Sequence, residues 1–266
     1  MFRKILGKWG ASDPDVNGPQ RERREPTFDE MPEATSAPVD APQRSQADLA
    51  SEGADVLRKL MISHYTDEAG IHIETVLSAA AACAGYQAQC AGLWLIETDQ
   101  PEAKAFPEVK EVPTAGGDVF IVSELVNQLL AGETDADRLT VLKVVAAGGI
   151  GAGGTRLPDM TEVAGRTAGA RGSDDYPPLS VPPEHFPEET ARAALQLWWP
   201  VVTKIFSVAE LGRVDPISRM LALSLMTARL IEAGKDAVAP DTAMQLAMQT
   251  AFAMAQVTGV RTELPA

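Results

Sequence analysis

The chain has 266 residues and a mass of 28.3 kDa, enough for one large domain with a sizeable core. It carries 23 Lys and Arg against 37 Asp and Glu, a formal net charge of −14. That balance argues against a general nucleic-acid surface, where clustered cations must neutralise phosphate. An apolar fraction of 45% and a charged fraction of 23% are those of an ordinary globular protein.

The first ten residues hold the sharpest local pattern. Phe2, Ile5, Leu6 and Trp9 fall at i, i+3, i+4 and i+7, one apolar stripe on a helix. Arg3, Lys4 and Lys8 line the remainder, so a cationic segment opens an acidic protein. Ten residues do not hold a helix alone in water, so the segment orders only against something else. The docking candidates are its own domain, a groove on an unknown protein partner, or an anionic membrane surface. No apolar run of signal-peptide type follows it.

Residues 11–51 read as a disordered, Pro-rich linker. Pro14, Pro19, Pro26, Pro32, Pro38 and Pro42 recur among alternating charges, with too few large apolar residues to offset the entropy of ordering. Residues 52–266 read as the globular domain. Its first helix is expected over about 53–64, from Val56, Leu57, Leu60 and Met61. The second is expected over about 67–96. Residues 75–96 include no charge, which raises a transmembrane reading, but seven alanines, two glycines, Gln87 and Gln89 fit a buried central helix better. Ala80, Ala84, Ala88 and Gly92 form a small-residue face on which a neighbour can approach closely.

Two β-branched runs, 108–112 and 118–122, flank Pro113 to Gly117 and read as a hairpin. Ser123 is expected to cap a short helix over 124–130, ended by Gly132. A further helix is expected from Thr134, with Asp135 and Asp137 in its first turn, through Leu139 and Ala146. Pro158 and Asp159 open a helix to about Thr167. Residues 170–187 form a long Gly-, Asp- and Pro-rich loop. Helices are then expected over 188–208, with Pro200 as a kink or break, 216–233 behind Asp215 and Pro216, and 242–258 after Pro240 and Asp241. The fold class is therefore mostly α, a single multi-helix domain with one small hairpin behind a disordered arm, and without a transmembrane span.

Four constellations bear on chemistry. Gly149, Gly151 and Gly154 match the dinucleotide fingerprint, provided that residues 140–146 are a strand feeding the turn. The simpler reading is a flexible loop between helices. His64, Glu68 and His72 lie four apart and would share one face of an unbroken helix as metal ligands, but Gly70 argues for a break. Asp174, Asp175, Glu184 and His185 could form an acidic pocket, or simply a solvated loop; no nucleophile elbow accompanies them. Trp198, Trp199, Met244, Met248 and Met254 read as core rather than as a ligand box. Cys83 and Cys90, about 10 Å apart along a helix, are too far apart for a disulfide and fit a reducing, cytoplasmic setting.

No cofactor is implied. The pattern with a mechanism is the segment at residues 1–10, so an interaction or adaptor module is expected. The alternative is a small-molecule- or nucleotide-binding enzyme using the 148–154 and 170–187 segments.

Overall fold

The computed structural model describes residues 44–68, 70–132, 138–260 and 262. The segment at residues 1–10 and the linker up to residue 43 lie outside the described residues. Eight α-helices and two small antiparallel strand pairs make up the described fold.

Helix α1 spans Gln46–His64, beginning earlier than residue 53. Ser45 is its cap, accepting from the Asp48 amide at 3.1 Å. That cap sits inside the expected linker, where Pro-rich composition masked it. Strands β1, Thr66–Asp67, and β2, Gly70–Ile71, pair in a tight turn with Gly70 at φ +114°. Helix α2, Ile73–Glu97, therefore starts six residues later than the expected 67. The turn also separates His64 from His72, so no continuous helix runs between them.

Helix α2 is the centre of the molecule, as its uncharged run predicts. Ala80, Ala84 and Ala88 have no exposed surface. It packs against α6 (Ala191–Ile205), α7 (Pro216–Gly234), α8 (Pro240–Met254) and α3 (Glu124–Ala131). Its two buried glutamines are satisfied by facing backbone. Gln87 donates to the Pro216 carbonyl at 3.2 Å, and Gln89 to those of Ala255 and Val257 at 3.0 and 3.1 Å. No helix among the described residues is long and apolar enough to cross a membrane.

The hairpin forms one residue beyond its expected limits: β3, Val109–Pro113, pairs with β4, Val119–Ser123, from Val109 opposite Ser123 to Pro113 opposite Val119. Strand β4 also binds the chain after α8, through the Ile121 amide and the Gln256 carbonyl at 2.7 Å. Ser123 occupies the cap position of α3, but its side chain makes no capping bond. The residue is still paired in β4, and its hydroxyl is buried without a hydrogen-bond partner.

The expected helix from Thr134 is not continuous to Ala146. Residues 138–140 are non-helical, and α4, Val141–Gly151, starts behind Thr140, whose hydroxyl oxygen accepts from the Lys143 amide. Helix α5, Met160–Gly169, is capped by Asp159. Thr190 and Asp215 cap α6 and α7, and Pro200 lies within α6 without ending it.

Candidate functional site

Three contacts fix which ends of the helices lie together. A Cβ on Gly234, at the end of α7, would meet the Ile73 side chain at the start of α2. One on Gly148 of α4 would meet Ala228 of α7, and one on Gly151 would lie 3.4 Å from Glu232. The last turns of α4 and α7 and the first turn of α2 therefore share one end of the bundle. Helix α1 finishes there too, and the chain entering α6 crosses it.

All three histidines of the chain lie at this end. Glu74, in the first turn of α2, is buried. Its Oε1 pairs with His185 Nδ1 at 2.9 Å, and its Oε2 lies 3.6 Å from His72 Nδ1. Thr75 Oγ1 lies 2.8 Å from His72 Nδ1 and accepts the Glu188 amide at 3.0 Å. Thus the segment 183–189, which includes a short turn at Pro183–His185, is strapped across the start of α2. Beside it, Trp198 Nε1 donates to the Tyr65 hydroxyl at 3.0 Å, and that hydroxyl donates to Glu189 at 3.0 Å. His64 stacks edge-on against Tyr65 and Trp198, with ring centres 4.8 and 5.4 Å apart.

The three candidate metal ligands, His64, Glu68 and His72, are not brought together. His72 belongs to the Glu74 cluster, His64 to the Trp198 cluster, and Glu68 is exposed in the turn between them. Among the described residues, no group of three or more His, Cys, Asp or Glu has the arrangement to hold a metal ion. The sequence did not single out Glu74 or Thr75. His72 and His185 are distant along the chain, and nothing local announces that they meet at one carboxylate. Asp174, Asp175 and Glu184 are exposed, and only His185 of that group enters the cluster.

The glycine fingerprint sits in a different context from the one it requires. Residues 141–151 are helix, so no strand feeds the turn. Nor is the segment simply a flexible loop, because Gly148 and Gly149 are buried and let α7 and α8 approach. A Cβ on Gly149 would lie 2.1 Å from Met244 Sδ. Gly154, past the helix, leaves room for Asp241: a Cβ there would lie 2.9 Å from Asp241 Oδ1. That carboxylate accepts from the amides of Thr155 and Arg156 at 2.7 and 3.1 Å, and these two bonds hold its pKa below the usual carboxylate value.

Large apolar side chains gather at this same end. Among the described residues, Ile71, Val109, Leu139, Ile150, Leu157 and Phe186 are the exposed ones. Ile71 and Phe186 adjoin the two histidines on Glu74, at 41% and 44% exposure, and Ile150 and Leu157 flank the turn after α4, both at 56%. Charge there is mostly negative. No Lys or Arg occurs between Lys59 and Lys104 or between Arg171 and Arg192. Asp67, Glu68, Glu184 and Glu188 are exposed within a few positions of Ile71 or Phe186 along the chain, the α7 end carries Glu232, Lys235 and Asp236, and Arg156 is exposed beside Leu157. A second feature, an open depression on α1 lined by Arg44, Glu52, Asp55 and Lys59, is largely self-neutralised through Arg44–Glu52 and Arg229–Asp55 pairs.

Compared with known proteins, the chain matches no family model, no curated protein sequence and no solved structure.

Proposed function

We propose that the chain is an interaction module, a helical body carrying on residues 1–10 a cationic amphipathic segment that docks to a protein partner. The observation that carries this reading is the packing of the glycine segment. Gly148 and Gly149 are occupied by Ala228 and Met244, so the strongest ligand-binding motif has a structural role already. The stripe of Phe2, Ile5, Leu6 and Trp9, flanked by Arg3, Lys4 and Lys8, is the patterned feature of the sequence to which this reading assigns the docking.

A protein groove suits this segment better than an anionic bilayer. Three cations contribute roughly 1 kcal/mol each at an anionic surface, and a body of net negative charge opposes the approach. A reducing, cytoplasmic setting agrees with two cysteines that are both free thiols.

The test compares full-length protein with Leu6→Asp. The wild type is expected to capture a protein partner, reconstituted afterwards from purified components, that Leu6→Asp fails to hold. Equal capture by the two proteins overturns the reading. Cosedimentation of the wild type alone with phosphatidylserine vesicles, without a protein partner, replaces it with a membrane role.

A further inference from the structure

We propose that Arg171 and Arg192, brought together by the hairpin turn at residues 114–118, bind the carboxylate group of a ligand, with Arg171 as the principal donor. The site does not involve residues 1–10, so it stands apart from the docking reading.

Arg171 differs from the other arginines in how it is held. The half-buried Arg58, Arg138, Arg192 and Arg229 each pair with a carboxylate of the chain. Arg219, equally half-buried, donates to the carbonyls of Val214 and Gly212 and lies over the Phe206 ring. Arg171 is half-buried too, and it donates from Nε alone, at 2.8 Å, to Oε1 of Gln256, a neutral amide that is itself only 4% exposed. Its Nη1 and Nη2 have no acceptor among the described residues. The guanidinium is thus anchored along one edge, while its end presents a planar pair of donors, the geometry that matches a carboxylate. A cation partly withdrawn from water is costly when unbalanced, and a bound anion offsets that cost.

A chain of contacts brings Arg192 to the same place. Gly172, next to Arg171, lies against the hairpin turn, where a Cβ would stand 2.7 Å from that of Thr114. Thr114 is bound through its amide and its hydroxyl to the Asp118 carbonyl, at 2.8 and 3.2 Å. Asp118 Oδ1 in turn accepts Arg192 Nη2 at 2.9 Å. Tyr176 feels both cations. Its hydroxyl donates to the Ala253 carbonyl at 2.7 Å. Burial pushes the pKa of that hydroxyl up, and Arg171 and Arg192 both act in the opposite direction.

Charge selects the ligand. Arg171, Arg192 and Asp118 sum to one positive charge, which a monocarboxylate balances. Asp174 and Asp175 are exposed just beyond Arg171 along the chain, and the whole protein carries −14, so a phosphate dianion meets more repulsion than a monoanion. A small carboxylic acid and the C-terminus of a peptide present the same group.

The test is calorimetric titration of the full-length protein at constant ionic strength. The probes are benzoate, its neutral analogue benzamide, and N-acetyl-alanyl-alanine as the acid and as its C-terminal amide. The acids are expected to bind at one saturable site and the two amides not to bind. The tighter of the two acids identifies the source of the carboxylate. Arg171→Gln should weaken that binding by about tenfold or more, the loss of a charge-assisted pair of hydrogen bonds. Arg171→Lys should recover only part of it, because the charge returns without the fork. Arg192→Gln, which leaves the contact with Gln256 intact, should weaken it several-fold. Arg213→Gln, at an exposed arginine beside the start of α1, should leave it unchanged. No binding of either acid, equal binding of acid and amide, or undiminished binding in Arg171→Gln or Arg192→Gln overturns the site. Inorganic phosphate binding more tightly than both acids overturns the assignment to a carboxylate.

Discussion

Gly85 of α2 lies directly against the backbone of Ala251 of α8, where a Cβ would stand 2.0 Å from the carbonyl oxygen and 2.7 Å from Cα. No side chain can move aside to make room, because the obstacle is backbone. The central helix and α8 meet at this point, and the Gln89 bonds to Ala255 and Val257 lie one turn further on.

Gly85→Ala should therefore destabilise the protein even though alanine favours helix by up to about 1 kcal/mol. Overpacking costs about 1–3 kcal/mol, and melting should fall by several degrees. Gly165, exposed within α5 and with nothing within 4 Å of its Cβ position, supplies the control. Gly165→Ala should raise stability by about 0.5–1 kcal/mol. Equal effects of the two substitutions would show that Gly85 is not a point of helix contact.

His185→Ala removes the 2.9 Å partner of Glu74 and leaves a buried carboxylate with His72 at 3.6 Å. A loss of about 1–3 kcal/mol is expected. Limited proteolysis should also begin within 183–189 once the strap is released. His185→Gln, which restores an N–H donor, should recover part of the resistance. A cleavage pattern unchanged from the wild type would mean that Glu74 does not hold the strap.

Asp241 accepts the amides of Arg156 and Thr155, and these bonds hold its pKa below the usual carboxylate value. As pH falls through that value the unfolded chain takes up the proton before the folded one does. The stabilisation is thus complete above about pH 4 and lost as pH drops through the folded-state value. Thermal melts from pH 5 down to pH 3 should show Asp241→Asn losing less stability with acid than the wild type. Parallel curves would show that this carboxylate is not a source of the acid sensitivity.

Burial raises the pKa of both thiols, that of Cys90 to about 12. The thiolate is the reactive form, so iodoacetamide at pH 8 should leave both cysteines of the native protein unmodified. Alkylation of both in guanidinium, followed by mass spectrometry, is the reference. Rapid native labelling of Cys90 would contradict the packing around α2.

With the glycines filled by Ala228 and Met244, millimolar NAD or ATP should leave the melting temperature unchanged. A ligand present at a hundred times its dissociation constant would stabilise the protein by about 2.7 kcal/mol. A clear upward shift with either nucleotide would restore the enzyme reading.

What the sequence determined by itself is what depends on neighbours along the chain. The uncharged run of α2, the hairpin, and the helix starts at Asp159 and Asp215 all rest on periodicity or on hydrogen bonds a few residues apart. Tertiary structure decided whatever depends on distant partners. A valine- and alanine-rich run such as 141–146 fits strand or helix; in the fold it is helix, with Gly148 admitting Ala228 of α7 and Gly149 admitting Met244 of α8. His72 and His185 are 113 positions apart in the chain and are joined only because the strap crosses the first turn of α2 at Glu74. The placement of Ile71, Phe186, Ile150 and Leu157 at one end of the bundle has the same origin. It follows from which ends of the helices point the same way, and local sequence carries no record of that.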